Sequence, residues 1–105
     1  MVYFSPTCEH CQQQATWLSE RAGELSHIQF LYVTSDAIEE VPGFDEEYFD
    51  GTGLNVKYGI DKDYMVDTYF GYTPVPTMYV FDASGNFLKK FNKEVKVDEI
   101  LMTLN

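Results

Sequence analysis

Two cysteines, Cys8 and Cys11, lie between a short apolar run and a helix-like run in the segment VYFSPTCEHCQQQ, residues 2–14. They are the only cysteines among 105 residues. A disulfide scaffold usually has four or more, and a structural zinc site usually has two ligand pairs. A single C-x-x-C beside alternating strands and helices is more typical of redox chemistry. The spacing leaves three interpretations open: a redox couple, half of a metal site, or two buried small residues.

The pattern around the cysteines predicts a βαβ unit. Residues 2–4 are apolar and end at Ser5 and Pro6, as in a buried strand that runs into a loop. A helix is expected to begin near Cys8 and end near Gly23. Residues 27–36, HIQFLYVTSD, predict a central strand that lies parallel to the first. The apolar positions of the helix recur every three or four residues: Cys11, Ala15, Leu18, Ala22 and Leu25.

The remaining residues predict a variable insert, a helix, a hairpin and a last helix. The insert is expected to hold a short helix at 45–49 and an edge strand at 54–60, and the helix after it covers 62–70. Strands at 76–82 and 87–92 flank the turn ASGN, and the chain ends in a helix. The predicted fold class is α/β, with a central mixed sheet flanked by helices. The residues expected mainly in the core are Tyr48, Phe49, Met65, Tyr69, Phe70, Tyr72, Met78, Ile100, Leu101, Met102 and Leu104.

The bulk composition excludes several classes of partner. Seventeen acidic and seven basic residues give a net charge of −10, which argues against binding to nucleic acid or to an anionic membrane surface. No segment approaches the roughly 20 apolar residues of a membrane span, so we expect no direct membrane insertion of this domain. Because a strand-like run follows Met1 directly, we expect residues 1–105 to be a single domain of a longer protein.

The residue spacing assigns different roles to the two cysteines. At the start of a helix, unpaired N–H groups and the helix dipole favour the thiolate, so Cys8 is the expected nucleophile. Cys11 lies one turn further on, where it can resolve a mixed disulfide on Cys8. His10 is expected to make the couple more oxidising, whereas Glu9 opposes it by repelling the thiolate. Neither His10 nor His27 easily completes a tetrahedral metal site, so no metal is expected.

A proline motif later in the chain, YTPVPTMYVFD at residues 72–82, gives the second signal. Pro76 has no N–H and therefore suits the start of a strand, and an X-Pro bond at such a tight point can be cis. Together with VYFSPTCEHC, this motif resembles the thioredoxin superfamily, in which a cis-proline loop faces a C-x-x-C helix. The segment from Leu54 to Thr77 is similar to the TlpA/ResA-like branch, related to the AhpC/TSA proteins. The resemblance covers nearly the whole chain.

This resemblance implies a thioredoxin-like fold and the activity of a thiol–disulfide oxidoreductase. The implied partners are disulfide-containing protein substrates, which the dithiol would reduce, and an upstream thiol electron donor. The implied location is extracytoplasmic, and no cofactor is expected beyond the Cys8–Cys11 disulfide. A non-catalytic thioredoxin-like module that binds proteins through the same groove is the alternative.

The resemblance also implies roles for single residues around the cysteines. Pro76 is the expected cis residue, and the backbone of Val75 is expected to pair with an extended substrate. Thr7 and Thr77 are expected to contact that substrate. Two departures are visible, because Thr7 replaces the tryptophan that often precedes the first cysteine and Val2 replaces a buried aspartate. No residue of this sequence therefore inherits the role of the base that helps proton transfer to Cys11.

Overall fold

Five strands form one mixed sheet in the computed structural model, which describes residues 1–105. The strands are β1 (Val2–Tyr3), β2 (Gln29–Thr34), β3 (Asn55–Ile60), β4 (Thr77–Phe81) and β5 (Phe87–Phe91). The α-helices are α1 (Glu9–Glu20), α2 (Val41–Tyr48), α3 (Met65–Phe70) and α4 (Val97–Leu104). Short 3-10 turns cover Ala22–Glu24 and Ile38–Glu40. The longest helix has 12 residues, and none of the helices could cross a bilayer.

The strand order is β3-β2-β1-β4-β5, which places the cysteine-bearing connection at the centre of the sheet. β1 and β3 both run parallel to β2, whereas β4 runs antiparallel to β1 and to β5. Val2 lies opposite Tyr32 on one side and opposite Met78 on the other. The mixed sheet flanked by helices confirms the predicted fold class, and β3 occupies the edge that the sequence predicted for it.

The main core lies between one face of the sheet and helices α1, α2 and α4. Aromatic rings fill its centre, where Phe4 lies 4.8 Å from Tyr32 and 5.0 Å from Phe44 between ring centroids. Aromatic pairs at such distances contribute beyond the area that they bury. All five predicted apolar positions of the first helix are buried, namely Cys11, Ala15, Leu18, Ala22 and Leu25. The 3.6-residue period therefore identified the correct face of this helix.

Two helix boundaries differ from the prediction. α2 begins at Val41, four residues before the start of the helix predicted at 45–49. Pro42 occupies the first turn of the helix, where its missing N–H costs nothing because that group has no helical partner. α1 ends at Glu20 and the chain continues as a 3-10 turn that contains Gly23, so the helix stops three residues earlier than predicted.

The opposite face of the sheet is covered more thinly, and several residues predicted in the core are exposed here. α3 has only six residues and packs mainly through Phe70, whose ring lies 4.3 Å from that of Tyr79 between centroids. Met65 is 59% exposed and Tyr69 is 82% exposed because no element lies opposite them. Tyr72, and Met102 on α4, were also predicted in the core and are exposed.

The start of α3 also moves, from residue 62 to Met65, because Asp61 caps the helix. The Asp61 carboxylate accepts hydrogen bonds from the N–H groups of Met65 and Val66, at 2.7 and 3.0 Å. A carboxylate in this position satisfies donors that the first turn cannot pair internally. Residues 62–64 therefore form a turn that leads into the helix.

Candidate active site

Cys8 lies at the N-terminal end of α1, where the chain leaves the centre of the sheet. Its backbone is extended, with φ −84° and ψ 125°, and its carbonyl accepts a hydrogen bond from the N–H of Gln12 at 3.0 Å. The N–H of Cys8 donates to the carbonyl of Ser5 at 3.2 Å, which closes the turn after β1. Cys8 is half-buried and has a free thiol. The turn therefore presents this sulfur at the surface beside the first turn of the helix.

Cys11 lies one helical turn further on and is 1% exposed. Burial raises the pKa of its thiol far above the ordinary value, and interactions with Cys8 and with the negative charge of Glu94 raise this pKa further. A hydrogen bond from the backbone of Ser5 acts in the opposite direction but is outweighed. In the dithiol form, Cys11 is therefore held as a neutral thiol under the surface at which Cys8 is accessible.

The loop before β4 faces Cys8. The Cys8 thiol lies 4.0 Å from the carbonyl oxygen of Val75, between Sγ and O, and the Val75–Pro76 peptide bond is cis. Val75 is 37% exposed, whereas Pro76 is buried. The structure thus brings together the two segments that the sequence singled out, residues 2–14 and 72–82. An exposed backbone lies beside an accessible thiol.

Several hydrogen bonds hold this loop from behind. The Thr77 hydroxyl donates to the carbonyl of Pro74 at 2.6 Å, and the N–H of Thr73 donates to the Asp67 carboxylate at 2.9 Å. Thr77 is fully buried, so it cannot touch a bound substrate in this conformation as the resemblance implied. Its side chain supports the Val75 backbone instead.

The remaining predicted site residues lie around the rim. Thr7 and Glu9 are exposed on either side of Cys8, and the Thr7 hydroxyl lies 3.2 Å from that of Ser5. His10 is also exposed, and its Nδ1 lies 2.7 Å from Oε2 of Glu94. The imidazole is therefore turned toward the loop between β5 and α4.

Two residues near the cysteines, Gln14 and Glu94, were not identified from the sequence. Gln14 is 1% exposed, and its side-chain amide donates to the carbonyl of Val95 at 2.9 Å and accepts from the N–H of Val95 at 2.8 Å. This pair of bonds fixes Glu94, the preceding residue, against α1. The sequence carries no local signal for either residue, because they are 80 positions apart and meet only through the tertiary fold.

The structure contains no group of three or more histidine, cysteine, aspartate or glutamate side chains that could bind a metal ion. The charge of Glu94 acts on the Cys11 thiol, and Glu94 in turn contacts His10. The arrangement offers an accessible thiol, a buried thiol one turn away and a carboxylate whose charge acts on the second thiol. Such a set can exchange disulfides, in which the thiolate is the reacting form.

Comparison with known proteins identifies the fold that this chain shares with solved structures. The sequence matches no family model, and no curated protein is significantly similar to it. Among solved structures, a candidate thiol:disulfide interchange protein DsbE from Chlorobium tepidum superposes with a TM-score of 0.74 at 18% identity, over 99% of this chain and 77% of that one. A secreted Mycobacterium tuberculosis disulfide oxidoreductase homologous to E. coli DsbE gives 0.73 at 20% identity, over 97% and 75% of the two chains.

A third structure, M. tuberculosis DsbF in mixed oxidised and reduced forms, gives a TM-score of 0.73 at 22% identity, over 97% of this chain and 74% of that one. These neighbours share their fold with this chain over nearly its whole length. The chain therefore has the thioredoxin-like fold of the DsbE- and DsbF-like proteins, as the resemblance implied.

Proposed function

We propose that this chain is a thiol–disulfide oxidoreductase that exchanges disulfides with protein substrates through Cys8 and Cys11. One observation carries the proposal: a half-buried thiol at the start of α1 faces the exposed Val75 backbone, with a second, buried thiol one turn below. The names of the structural neighbours, which include an interchange protein and a disulfide oxidoreductase, support the same chemistry.

In the proposed reaction, the Cys8 thiolate attacks the substrate disulfide and Cys11 resolves the mixed disulfide. An extended substrate segment lies along Val75 and pairs with its backbone, a common way of binding peptides. Pro76 shapes the floor of this groove and Thr7 its rim, and Thr77 holds the loop from behind. Glu9 and His10 tune the couple by acting on the charge of Cys8. No cofactor takes part besides the Cys8–Cys11 disulfide.

The direction that we propose is reduction of protein disulfides, with an upstream thiol donor that restores the dithiol. The location that we propose is extracytoplasmic, in line with the secreted M. tuberculosis neighbour. The net charge of −10 favours substrates that are neutral or basic near their disulfide, because like charges repel across an interface.

Reduction of insulin by the dithiol protein tests the proposal. The wild type is expected to reduce insulin, and Cys8→Ser is expected to remove the activity. Cys11→Ser should still attack and should accumulate a covalent complex with the substrate. A wild type that binds the substrate without reducing it, and that equals Cys8→Ser in the assay, would instead favour a non-catalytic binding module.

A further inference from the structure

Glu94, in the loop between β5 and α4, places a largely buried carboxylate against α1. The Gln14 amide fixes the adjacent residue Val95 by two hydrogen bonds of 2.8 and 2.9 Å. Nδ1 of His10 lies 2.7 Å from Glu94 Oε2. His10 and Gln14 flank Cys11 on the same helix, so these contacts hold Glu94 against the turn that carries Cys11, and the negative charge of Glu94 acts on the Cys11 thiol.

The Glu94–His10 pair has an unusual hydrogen-bond balance. Oε2 of Glu94 is buried, and it has no donor among the protein groups other than Nδ1 of His10. A buried polar atom without an ordinary partner is rare and calls for an explanation. The separation of 2.7 Å between Nδ1 and Oε2 is short enough for a proton to pass directly between the two groups. The pair is therefore placed for direct proton exchange between the carboxylate and the imidazole.

The same pair connects the interior with solvent. The side chain of Glu94 is 20% exposed, whereas that of His10 is 73% exposed. A proton that reaches Glu94 can thus leave through the imidazole ring to water. Cys11 itself is almost completely shielded and has no such route of its own.

We propose that Glu94 accepts the proton of Cys11 during the resolving step and that His10 passes this proton to solvent. The inference rests on the proposed function, because the resolving step exists only if Cys8 forms mixed disulfides. It deepens that function by naming the base, a role that the apolar side chain of Val2 cannot fill. Gln14 acts as a positioning residue through its bonds to Val95.

The Cys11 thiol gives its proton to the Glu94 carboxylate, and the resulting thiolate attacks Sγ of Cys8. The Cys8–Cys11 bond forms while the bond between Cys8 and the substrate sulfur breaks, and the electron pair leaves on the substrate thiolate. That thiolate takes up a proton from water, and Glu94 returns its own proton through His10. Over the two exchange steps, the protein dithiol is oxidised and the substrate disulfide is reduced to two thiols.

The aromatic disulfide dithiobis(nitrobenzoate) separates the two exchange steps in one stopped-flow experiment. Attack by Cys8 releases one nitrobenzoate thiolate, and resolution by Cys11 releases a second in a later phase. The variants are Glu94→Gln and its matched control Glu99→Gln, which removes the same charge from the exposed side of α4. Glu94→Asp, which keeps the carboxylate, is the rescue variant, and circular dichroism confirms that each variant is folded.

Glu94→Gln is expected to leave the first phase unchanged and to slow the second phase by about 100-fold, as removal of a general base typically does. Without the base, hydroxide must deprotonate Cys11, so the rate of the second phase should rise about tenfold per pH unit, more steeply than in the wild type. Glu94→Asp should recover part of the rate, and Glu99→Gln should match the wild type.

A second phase of wild-type rate and pH dependence in Glu94→Gln would overturn the proton relay and leave the proposed function standing. Equal slowing in Glu94→Gln and Glu99→Gln would overturn it as well, because the effect would then reflect net charge alone. A wild type with only the first phase would reject the proposed function and the relay together.

Discussion

The two sides of the first turn of α1 carry the same chemical group in opposite surroundings. On the outer side, Cys8 is half-buried and faces the exposed backbone of Val75. On the inner side, Cys11 is sealed from solvent, and its surroundings raise its pKa. Under the proposed function, this difference would separate two tasks within one short motif: the outer thiol would attack the substrate, and the inner thiol would keep its proton until the resolving step.

The largest expected effect comes from exchanging each sulfur for oxygen in turn. Cys8→Ser should lose all disulfide exchange, since no accessible thiol remains. Cys11→Ser should keep the attack but stop at the mixed disulfide, which mass spectrometry detects as an added substrate mass. If both variants gave the same products, the two sides of the turn would not differ in role.

The inner side depends on Gln14 for its architecture. Gln14→Leu should lower the free energy of unfolding by roughly 2–4 kcal/mol, because the buried N–H and C=O of Val95 lose their partners. Urea denaturation measures the change. Gln13→Leu, an exposed neighbour on the same helix, serves as the matched control and should stay within about 0.5 kcal/mol of the wild type. Equal losses in the two variants would show that the Val95 contacts contribute little.

The inner thiol also predicts a dependence of stability on pH. Because the folded-state pKa of Cys11 is raised, the unfolded chain gives up this proton at lower pH than the native protein does. The native state then binds more protons, so stability falls as pH rises above about 9, by about 1 kcal/mol per pH unit.

Urea denaturation of the reduced protein between pH 8 and about 10.5 tests this sign. Cys11→Ala should lose less stability over the same range, although it keeps the alkaline contributions of Tyr32 and Tyr58, whose pKa values are also raised by burial. If stability fell equally with pH in the wild type and in Cys11→Ala, the pKa of Cys11 would not be raised in the folded protein as the structure indicates.

On the outer side, we expect His10 and Glu9 to shift the reduction potential of the couple by small amounts of opposite sign. His10→Ala should lower the reduction potential of the couple by about 20 mV, because an imidazole N–H near the Cys8 thiolate would stabilise the reduced form. Glu9→Gln should raise the potential by a similar amount, because it removes a repelling charge. Equilibration with glutathione measures both. An unchanged reduction potential in His10→Ala would reject the tuning role of His10. Its contact with Glu94 would then be its only proposed role.

The sequence predicted the parts of the fold that depend on local periodicity. The buried face of α1, the hairpin of β4 and β5 and the contacts of Ile100, Leu101 and Leu104 are confirmed, since these residues face a continuous core. The periodicity failed at Met65 and Tyr69, because an apolar stripe identifies a helical face but not whether another element lies opposite.

The candidate site also contains residues that the sequence predicts and residues that only the tertiary fold brings together. The C-x-x-C motif and the proline loop are visible in the sequence because each is a continuous segment, and the structure brings both together at Cys8 and Val75. Glu94 and Gln14 could not be found in this way. Glu94 looks like one more surface acid in a chain with 17 acidic residues, and Gln14 looks like part of a polar run. Only the packing of the β5–α4 loop on α1 gives them their place.

The reduction potential of the Cys8–Cys11 couple tests the central claim most directly. The protein is equilibrated in glutathione buffers of increasing oxidation, and its free thiols are trapped and counted by mass spectrometry. We predict a reversible disulfide between Cys8 and Cys11 with a potential near roughly −270 mV, the value of a thioredoxin-type reductant. A value near about −120 mV would contradict the reducing direction. The absence of any Cys8–Cys11 disulfide at every glutathione ratio would contradict the redox function itself.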